Sequence, residues 1–242
     1  MNVGNRRESP LQLAIETTGR TGSMAIMRGA EVLLQRQVGT HSRTAAAIGP
    51  CLDEMLSWCR SEPTKLDLIS VANGPGSFTG LRIGVTAANM LSYALQVPLV
   101  CVDSLAAIAA VVFTEHADAQ SLIVALDAYR GQVFTGRFER GEILPDADAI
   151  PADWTPHPTS VQIVCSETWA TLLASGLEAG CQLAGDAKPF ADRADQRLAR
   201  SAVDAFGVGL IAGHAADRSL LTDPFEVVPR YLRPSAAEEA LG

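Results

Sequence analysis

The sequence predicts an α/β protein of two lobes, and three observations carry that reading. Apolar runs of strand length alternate with longer segments of helical periodicity along most of the chain. The chain has 242 residues, 48% hydrophobic and 19% charged, which is too much for one minimal core and ample for two. Its two halves also open alike. IETTGRTGSMAIMRGAEVLL and LDAYRGQVFTGRFERGEIL each pass from an apolar strand ending in a carboxylate, Glu16 or Asp127, through a polar turn and a second apolar strand to an Arg-Gly turn and a short apolar run. The carboxylate and that arginine stand 12 residues apart in the first copy and 13 in the second. A match this short arises by chance as readily as by duplication. As a duplication it gives lobes at residues 1–115 and 116–242, each opening with an antiparallel meander.

In order along the chain, LQLAIET (Leu11 to Thr17) reads as a buried strand, and Ser23–Arg28 with Glu31–Val38 as a hairpin around Arg28-Gly29-Ala30. Helical spacing predicts a helix from about Arg43 to Cys59, although Pro50 inside it removes a backbone donor. A strand at Leu66–Ala72, a glycine-rich loop, a helix at Phe78–Leu95 and a strand at Pro98–Val102 follow. Ser104 is placed to cap a helix through Val112. The second half predicts strands at Ser121–Asp127 and Gln132–Glu139, a short apolar run at Glu142–Leu144, and a strand at Val161–Cys165. Helices are expected at Thr168–Leu177 and Val203–Ala216, with an irregular, proline-rich connection at Pro145–Thr159 and an extended tail through Leu232.

Charge and composition exclude some functions. With 19 basic and 27 acidic residues the net charge is −8, a poor balance for gripping nucleic acid unaided. Any RNA would be met through a partner that supplies the basic surface. Cys51, Cys59, Cys101, Cys165 and Cys181 form no CxxC pair and sit in apolar surroundings, as reduced buried thiols do. His41, His116, His157 and His214 lack metal-ligand spacing, so no metal is expected. MNVGNRRESP has no apolar h-region, and no apolar stretch approaches the roughly 20 residues of a membrane span. The expectation is a soluble, cytoplasmic protein.

NGPGSFTGLRIG, residues 73–84, is the most distinctive stretch. A glycine-rich turn between strand and helix can cradle phosphate on backbone N–H groups. Yet it is neither GxxxxGK[ST] nor GxGxxG, and no lysine follows; Arg82 is the one nearby cation. The alternative is that its glycines turn a corner and bring backbones close. In the helix behind it, Arg82, Thr86, Asn89, Tyr93 and Gln96 form one narrow stripe, while apolar and small residues cover most of the rest. Such a helix is either deeply buried or shared with another chain. The earlier helix gathers Ala45, Ile48, Leu52, Met55, Leu56 and Cys59 on one face and leaves Trp58 off it.

Catalytic constellations are thin. Asp103-Ser104 reads as a strand end and cap; Glu16 with Thr17 and Thr18 could meet a metal-nucleotide, though a strand-end carboxylate is more often a turn residue. His41-Ser42 is half of an acid–base pair, and no Ser-His-Asp or HExxH set can be assembled.

GPGSFTGLRIG after LDLISVANG strongly resembles the signature of the bacterial TsaB (YeaZ) family, the dimerisation subunit of the complex that forms threonylcarbamoyladenosine in tRNA. LAIETT, HSRT, VDSLAAIA, VALDAYRGQVFTGRF and PRYLR extend the resemblance over roughly residues 11 to 233. It implies an actin-like (sugar kinase/Hsp70/actin) fold of two ribonuclease-H-like lobes. It also implies a non-catalytic subunit that docks a similar, catalytic TsaD-type subunit, or a second copy of itself, through the first-lobe helices. The implied contact takes Ala45, Ile48, Leu52, Met55 and Trp58 from the first helix. From the second it takes Phe78, Leu81, Arg82, Val85, Ala88, Asn89 and Tyr93. Gly74, Pro75, Gly76, Ser77, Thr79 and Gly80 would form the loop that positions it. An ATP-hydrolysing TsaE-type subunit joins such complexes, ATP or ADP could sit at the joint, and tRNA would be met only through the complex.

Departures point the same way. The catalytic relatives carry HxxxH in the first-helix region, whereas His41 is followed four residues later by Ala45. Actin-like ATPases open with an aspartate in DxGxx[ST], where this chain has Glu16, and Ala184-Gly185-Asp186 is an isolated phosphate-motif fragment. An independent actin-like ATPase or kinase, and last a peptidase, are the other readings.

Overall fold

A computed structural model describes residues 9–19, 21–39, 44–62, 65–145, 151–186, 188–190, 197–198 and 202–233. His41, Ser42 and Arg43, of the HSRT match and the start of the first predicted helix, lie outside them. The first sheet has the order β3-β2-β1-β4-β5. In it β1 (Leu11–Glu16), β2 (Gly22–Arg28) and β3 (Glu31–Val38) form an antiparallel meander. The strands β4 (Leu68–Gly74) and β5 (Leu99–Asp103) then run parallel to β1. Every residue of β1 is buried, as a strand covered on both faces must be.

The helix α1 (Thr44–Ser61) links β3 to β4 and continues through Pro50, and α2 (Phe78–Leu95) links β4 to β5. Ser77 caps α2 by accepting from the Gly80 N–H at 3.3 Å. At the other end Gln96 adopts the left-handed conformation and Pro98 stops the helix. The helix α3 (Ser104–Glu115) starts directly from β5. Here the cap differs from expectation. Asp103, not Ser104, accepts from the Leu105 and Ala106 N–H groups, and the Ser104 hydroxyl faces Thr18 Oγ1 at 3.5 Å.

The second sheet, in the order β8-β7-β6-β9, repeats the first without its last strand. Its members are β6 (Ser121–Asp127), β7 (Gln132–Glu139), β8 (Gln162–Cys165) and β9 (Gln182–Gly185), with β6–β9 parallel and the other pairs antiparallel. Shared topology makes the meander match a structural repeat. Residues 140–143, read from the sequence as an Arg-Gly turn leading into a short apolar run, form one turn of helix, α4 (Arg140–Ile143). The Arg140 side chain donates to the His116 carbonyl and, at 2.8 Å, to that of Ala119, which pins the chain under the end of α3. The strand β9 was not expected at all.

The helix α5 (Ser166–Glu178) covers the second sheet, while α6 (Ala205–Asp217) crosses back. Although α6 lies beyond residue 116, it packs on β1, β2, β4 and β5 and against α3, and α3 in turn touches β6, β7 and β9. Thus α3 and α6 form the layer between the sheets, within one continuous core that includes Ala14, Val102, Phe113, Val124, Phe138 and Val208. None of the helices is long and apolar enough to cross a membrane among the described residues. All five cysteines are free, and Cys51, Cys101 and Cys181 are buried. Burial pushes the Cys101 thiol up to about 11. Cys165 departs from the apolar surroundings expected: at the end of the outermost strand β8, it is exposed.

Candidate functional site

The turn after β1 is the base on which the glycine-rich loop rests. Glu16 is fully buried, and its Oε1 accepts from the N–H and hydroxyl of Thr18 and from the Gly19 N–H. Burial, with Asp204 nearby, raises the Glu16 carboxyl to about 7 against those donors, and its Oε2 is buried with no hydrogen-bond partner. Thr17 donates its hydroxyl to the Gly80 carbonyl at 2.8 Å, and the Ser77 N–H donates to the Thr18 carbonyl at 2.9 Å.

The loop is therefore held to the turn by its own backbone. Its Ser77, Gly80 and Leu81 N–H groups already have partners, in Thr18 O, Ser77 Oγ and Ser77 O. Gly80 and Gly84 show why small residues stand here. A Cβ at Gly80 would lie 1.9 Å from Thr17 O, and one at Gly84 2.2 Å from Thr17 Oγ1. The strand–loop–helix unit brings Glu16, Thr17 and Thr18 together with Gly74, Pro75, Gly76 and Gly80, while Ser77 and Thr79 stand exposed.

Along the helices, the twelve residues singled out separate into two groups. Met55, Leu81, Val85 and Ala88 are buried in the lobe's own core and offer a partner no surface. This corrects their assignment to the contact: the sheet takes that side of each helix. Ile48, Leu52 and Trp58 are half-buried against the same core. Asn89 is half-buried with its Oδ1 unpaired, and Ala45, Phe78, Arg82 and Tyr93 are exposed. Phe78 is 39% and Tyr93 61% exposed, and Met90, which the sequence reading missed, is 67% exposed. The exposed side of α2 thus presents a mainly apolar surface whose one charge is Arg82.

The tail completes that surface, also unforeseen. Thr222 bridges to Leu99 at the open edge of β5, and residues 222–233 then cross the lobe as a strap. Tyr231 stacks on Phe78 with ring centroids 4.8 Å apart, and Phe225 meets Tyr93 edge-on at 5.6 Å. Arg82 lies 4.0 Å over the Phe78 ring and donates from Nε to the Tyr231 hydroxyl at 3.0 Å.

A buried polar cluster fastens the strap. Arg230 pairs with Asp103 Oδ2 at 2.8 Å, and its N–H donates to the Asn73 carbonyl at 2.7 Å. Gly74 is in the positive-φ region at 127°, and a Cβ there would come within 2.5 Å of the Arg230 carbonyl. Burial pushes Asp103 up to about 7 against the pull of two amides and Arg230. The His157 Nε2 lies 3.0 Å from Asn73 Oδ1, and burial beside Arg230 lowers this imidazole to about 4. With Asn73 Oδ1 as the acceptor, this contact calls for the tautomer protonated on Nε2. Further on, Arg233 donates to the Ala128 carbonyl at 2.8 Å, so the strap ties the first lobe to the turn after β6. No group of three or more metal-ligating side chains occurs among the described residues.

Three comparisons bear on this geometry. Residues 39–153 match the family model described as tRNA N6-adenosine threonylcarbamoyltransferase, TsaD. The tRNA threonylcarbamoyladenosine biosynthesis protein TsaB of Bacillus subtilis is 36% identical over 148 residues, 59% of this chain and 63% of that one. The TsaB of Escherichia coli is 27% identical over 130 residues, 54% of this chain and 55% of that one. The solved structure of YeaZ from Pseudomonas aeruginosa, 25% identical, superposes with a TM-score of 0.68 over 92% of this chain and 100% of its own. The chain is similar to proteins of the TsaB (YeaZ) family in sequence and in fold. Its sheets form two ribonuclease-H-like lobes of the actin-like class. Its sequence match spans somewhat more than half the length of the TsaB relatives.

Proposed function

We propose that this chain is a non-catalytic subunit in the formation of threonylcarbamoyladenosine in tRNA. It docks and supports the catalytic threonylcarbamoyltransferase and carries out no transfer itself. The observation that carries this reading is the exposed apolar face of α2, built on a turn whose hydrogen bonds are spent on holding the helix. A contiguous apolar surface with one charge is costly to leave in water and marks a protein contact. The match of residues 39–153 to the transferase family model supports a pairing of like with like, because the transferase would bring an equivalent helix pair. Alone, the same face would join two copies of the chain. An ATP-hydrolysing subunit completes the assembly, ATP or ADP sits at the joint of the complex and not in this chain alone, and tRNA is met through the complex. The site of action is the cytoplasm.

The test is the light-scattering mass of this chain alone and mixed with the transferase of the same organism, with tRNA modification assayed in parallel. A heteromeric peak and modification that depends on this chain are expected. No complex and no dependence would remove the reading. One observation favours a second one, an independent nucleotide-hydrolysing protein: the buried, unpaired Oε2 of Glu16 at the end of β1. Magnesium-dependent nucleotide binding by the isolated chain would favour it.

A further inference from the structure

Most of the large apolar side chains left exposed among the described residues lie on two elements, with Val32, Tyr129, Leu220 and Leu221 elsewhere. Phe78, Met90, Tyr93 and Leu95 lie on α2, and Phe225, Val228 and Tyr231 on the strap. Phe225 is 81% and Val228 70% exposed, more than any large apolar residue of the helix itself. An extended segment that packs Val227 and Leu232, each half-buried, against the cores has no folding reason to present Phe225 and Val228 outward. The Phe78–Tyr231 and Tyr93–Phe225 ring contacts make helix and strap one continuous surface.

From this we infer that the strap, residues 222–233, is half of the docking face. Phe225, Val228 and Tyr231 contact the partner directly, and Arg230 is a positioning residue that holds them there through Asp103. The inference rests on the docking reading above and adds to it the part of the surface made by the tail. The occupant is the transferase whose family model matches residues 39–153. Its own lobe offers a helix pair of the same kind, and the helix half of the face, whose only charge is Arg82, accepts an apolar partner at little desolvation cost, while Asp223 and Glu226 of the strap stand exposed beside Phe225. Arg82 is already engaged by Tyr231 and Phe78, so a partner need not satisfy it. Aromatic anchors of this kind dominate the energetics of a contact.

The anchoring is suited to the role. Arg230 reaches a fully buried carboxylate, while its backbone is fixed to Asn73 at the end of β4, the strand that leads into α2. The strap is thus registered to the same strand as the helix, and the two move as one unit.

The experiment measures the dissociation constant of the full chain with the transferase for four variants. Phe225→Ala combined with Val228→Ala removes the strap's apolar part without touching the core, and is expected to weaken binding roughly tenfold or more. Arg230→Met keeps the strap's apolar residues but frees them, and should weaken binding less, with faster hydrogen exchange at the Arg230 amide. Tyr93→Asp on α2 should abolish binding. Tyr129→Ala, an exposed aromatic on the second lobe, should leave it unchanged. Loss with the double variant, and none with Tyr129→Ala, supports the strap's part. Parental affinity of the double variant with loss in Tyr93→Asp overturns it and leaves docking through α2 standing. Parental affinity in both overturns the docking reading itself.

Discussion

The two lobes share one topology and treat the turn after their first strand in opposite ways. In the first, Glu16, Thr17 and Thr18 are at most 4% exposed, because the loop and α2 lie directly on them. In the second, Asp127 is at the same point of the repeat, but Tyr129 beyond it is 57% exposed and Asp127 pairs with Lys188 at the surface. The cause is a difference in connection. Residues 75–98 separate the parallel strands β4 and β5 and accommodate an 18-residue helix. In the second lobe residues 186–196 lead from β9 to the parallel bridge at Arg197, a segment shorter than α2 itself. Among the described residues, a repeat that begins as two equal halves shows an outward-facing 18-residue helix on one side only, and that helix buries the first turn.

The largest effect should come from forcing the first-lobe contact apart. Gly80→Val places a side chain into the Thr17 carbonyl, where the Cβ alone is already at 1.9 Å. Urea unfolding should show a loss of about 3 kcal/mol. A loss under about 1 kcal/mol would mean that α2 is not seated on the turn as described.

The second effect tests the buried carboxylate of the first turn by pH. The folded-state value of Glu16, about 7, lies above its ordinary 4.5, so the folded state keeps a proton that the unfolded state releases. Its contribution is fully present below pH 4.5 and is lost as the pH rises through 7, by up to about 3 kcal/mol. Glu16→Gln, which can retain the Oε1 acceptor, should flatten that slope in stability curves measured from pH 4.5 to 8. An unchanged slope would assign the proton elsewhere.

Much of the scaffold was legible before the structure. The strands β6 and β7 and the helix α2 fall on their predicted bounds, because an unbroken period of two or of 3.6 is a local property. The strand β9 escaped because it is four residues ending in Gly185, whose φ of 109° and contact with Ala125 are tertiary facts. The apolar run at residues 142–144 gave no sign of helix, yet with Arg140 reaching back to Ala119 residues 140–143 form a helical turn. Within the candidate site, periodicity showed that α1 and α2 carry too much apolar surface. It could not tell which side faces the sheet, and the contact implied by the resemblance took in Met55, Leu81, Val85 and Ala88, which the sheet covers. The strap's role lies in partners far away in sequence, Arg230 with Asp103 and Tyr231 with Arg82 and Phe78, which no local pattern encodes.

The fastening of the strap gives the next effect. Arg230→Met leaves Asp103 buried without its cation, although the carboxyl can limit the loss by keeping a proton. A loss of about 2 kcal/mol is expected at pH 8, shrinking as the pH falls toward 5, where that proton is held at no cost. A loss of the same size at both values would show that packing, not the charge pair, fastens the tail.

The smallest effect tests the second lobe's open turn. Gly131 has a φ of 77° and nothing within 4 Å of where a Cβ would be, so Gly131→Ala meets backbone strain without a clash. The cost should be about 1 kcal/mol, well below that of Gly80→Val. A value approaching that of Gly80→Val would mean that something packs on this turn after all. The second lobe would then be no open counterpart of the first, and the contrast drawn from α2 would fail at its other end.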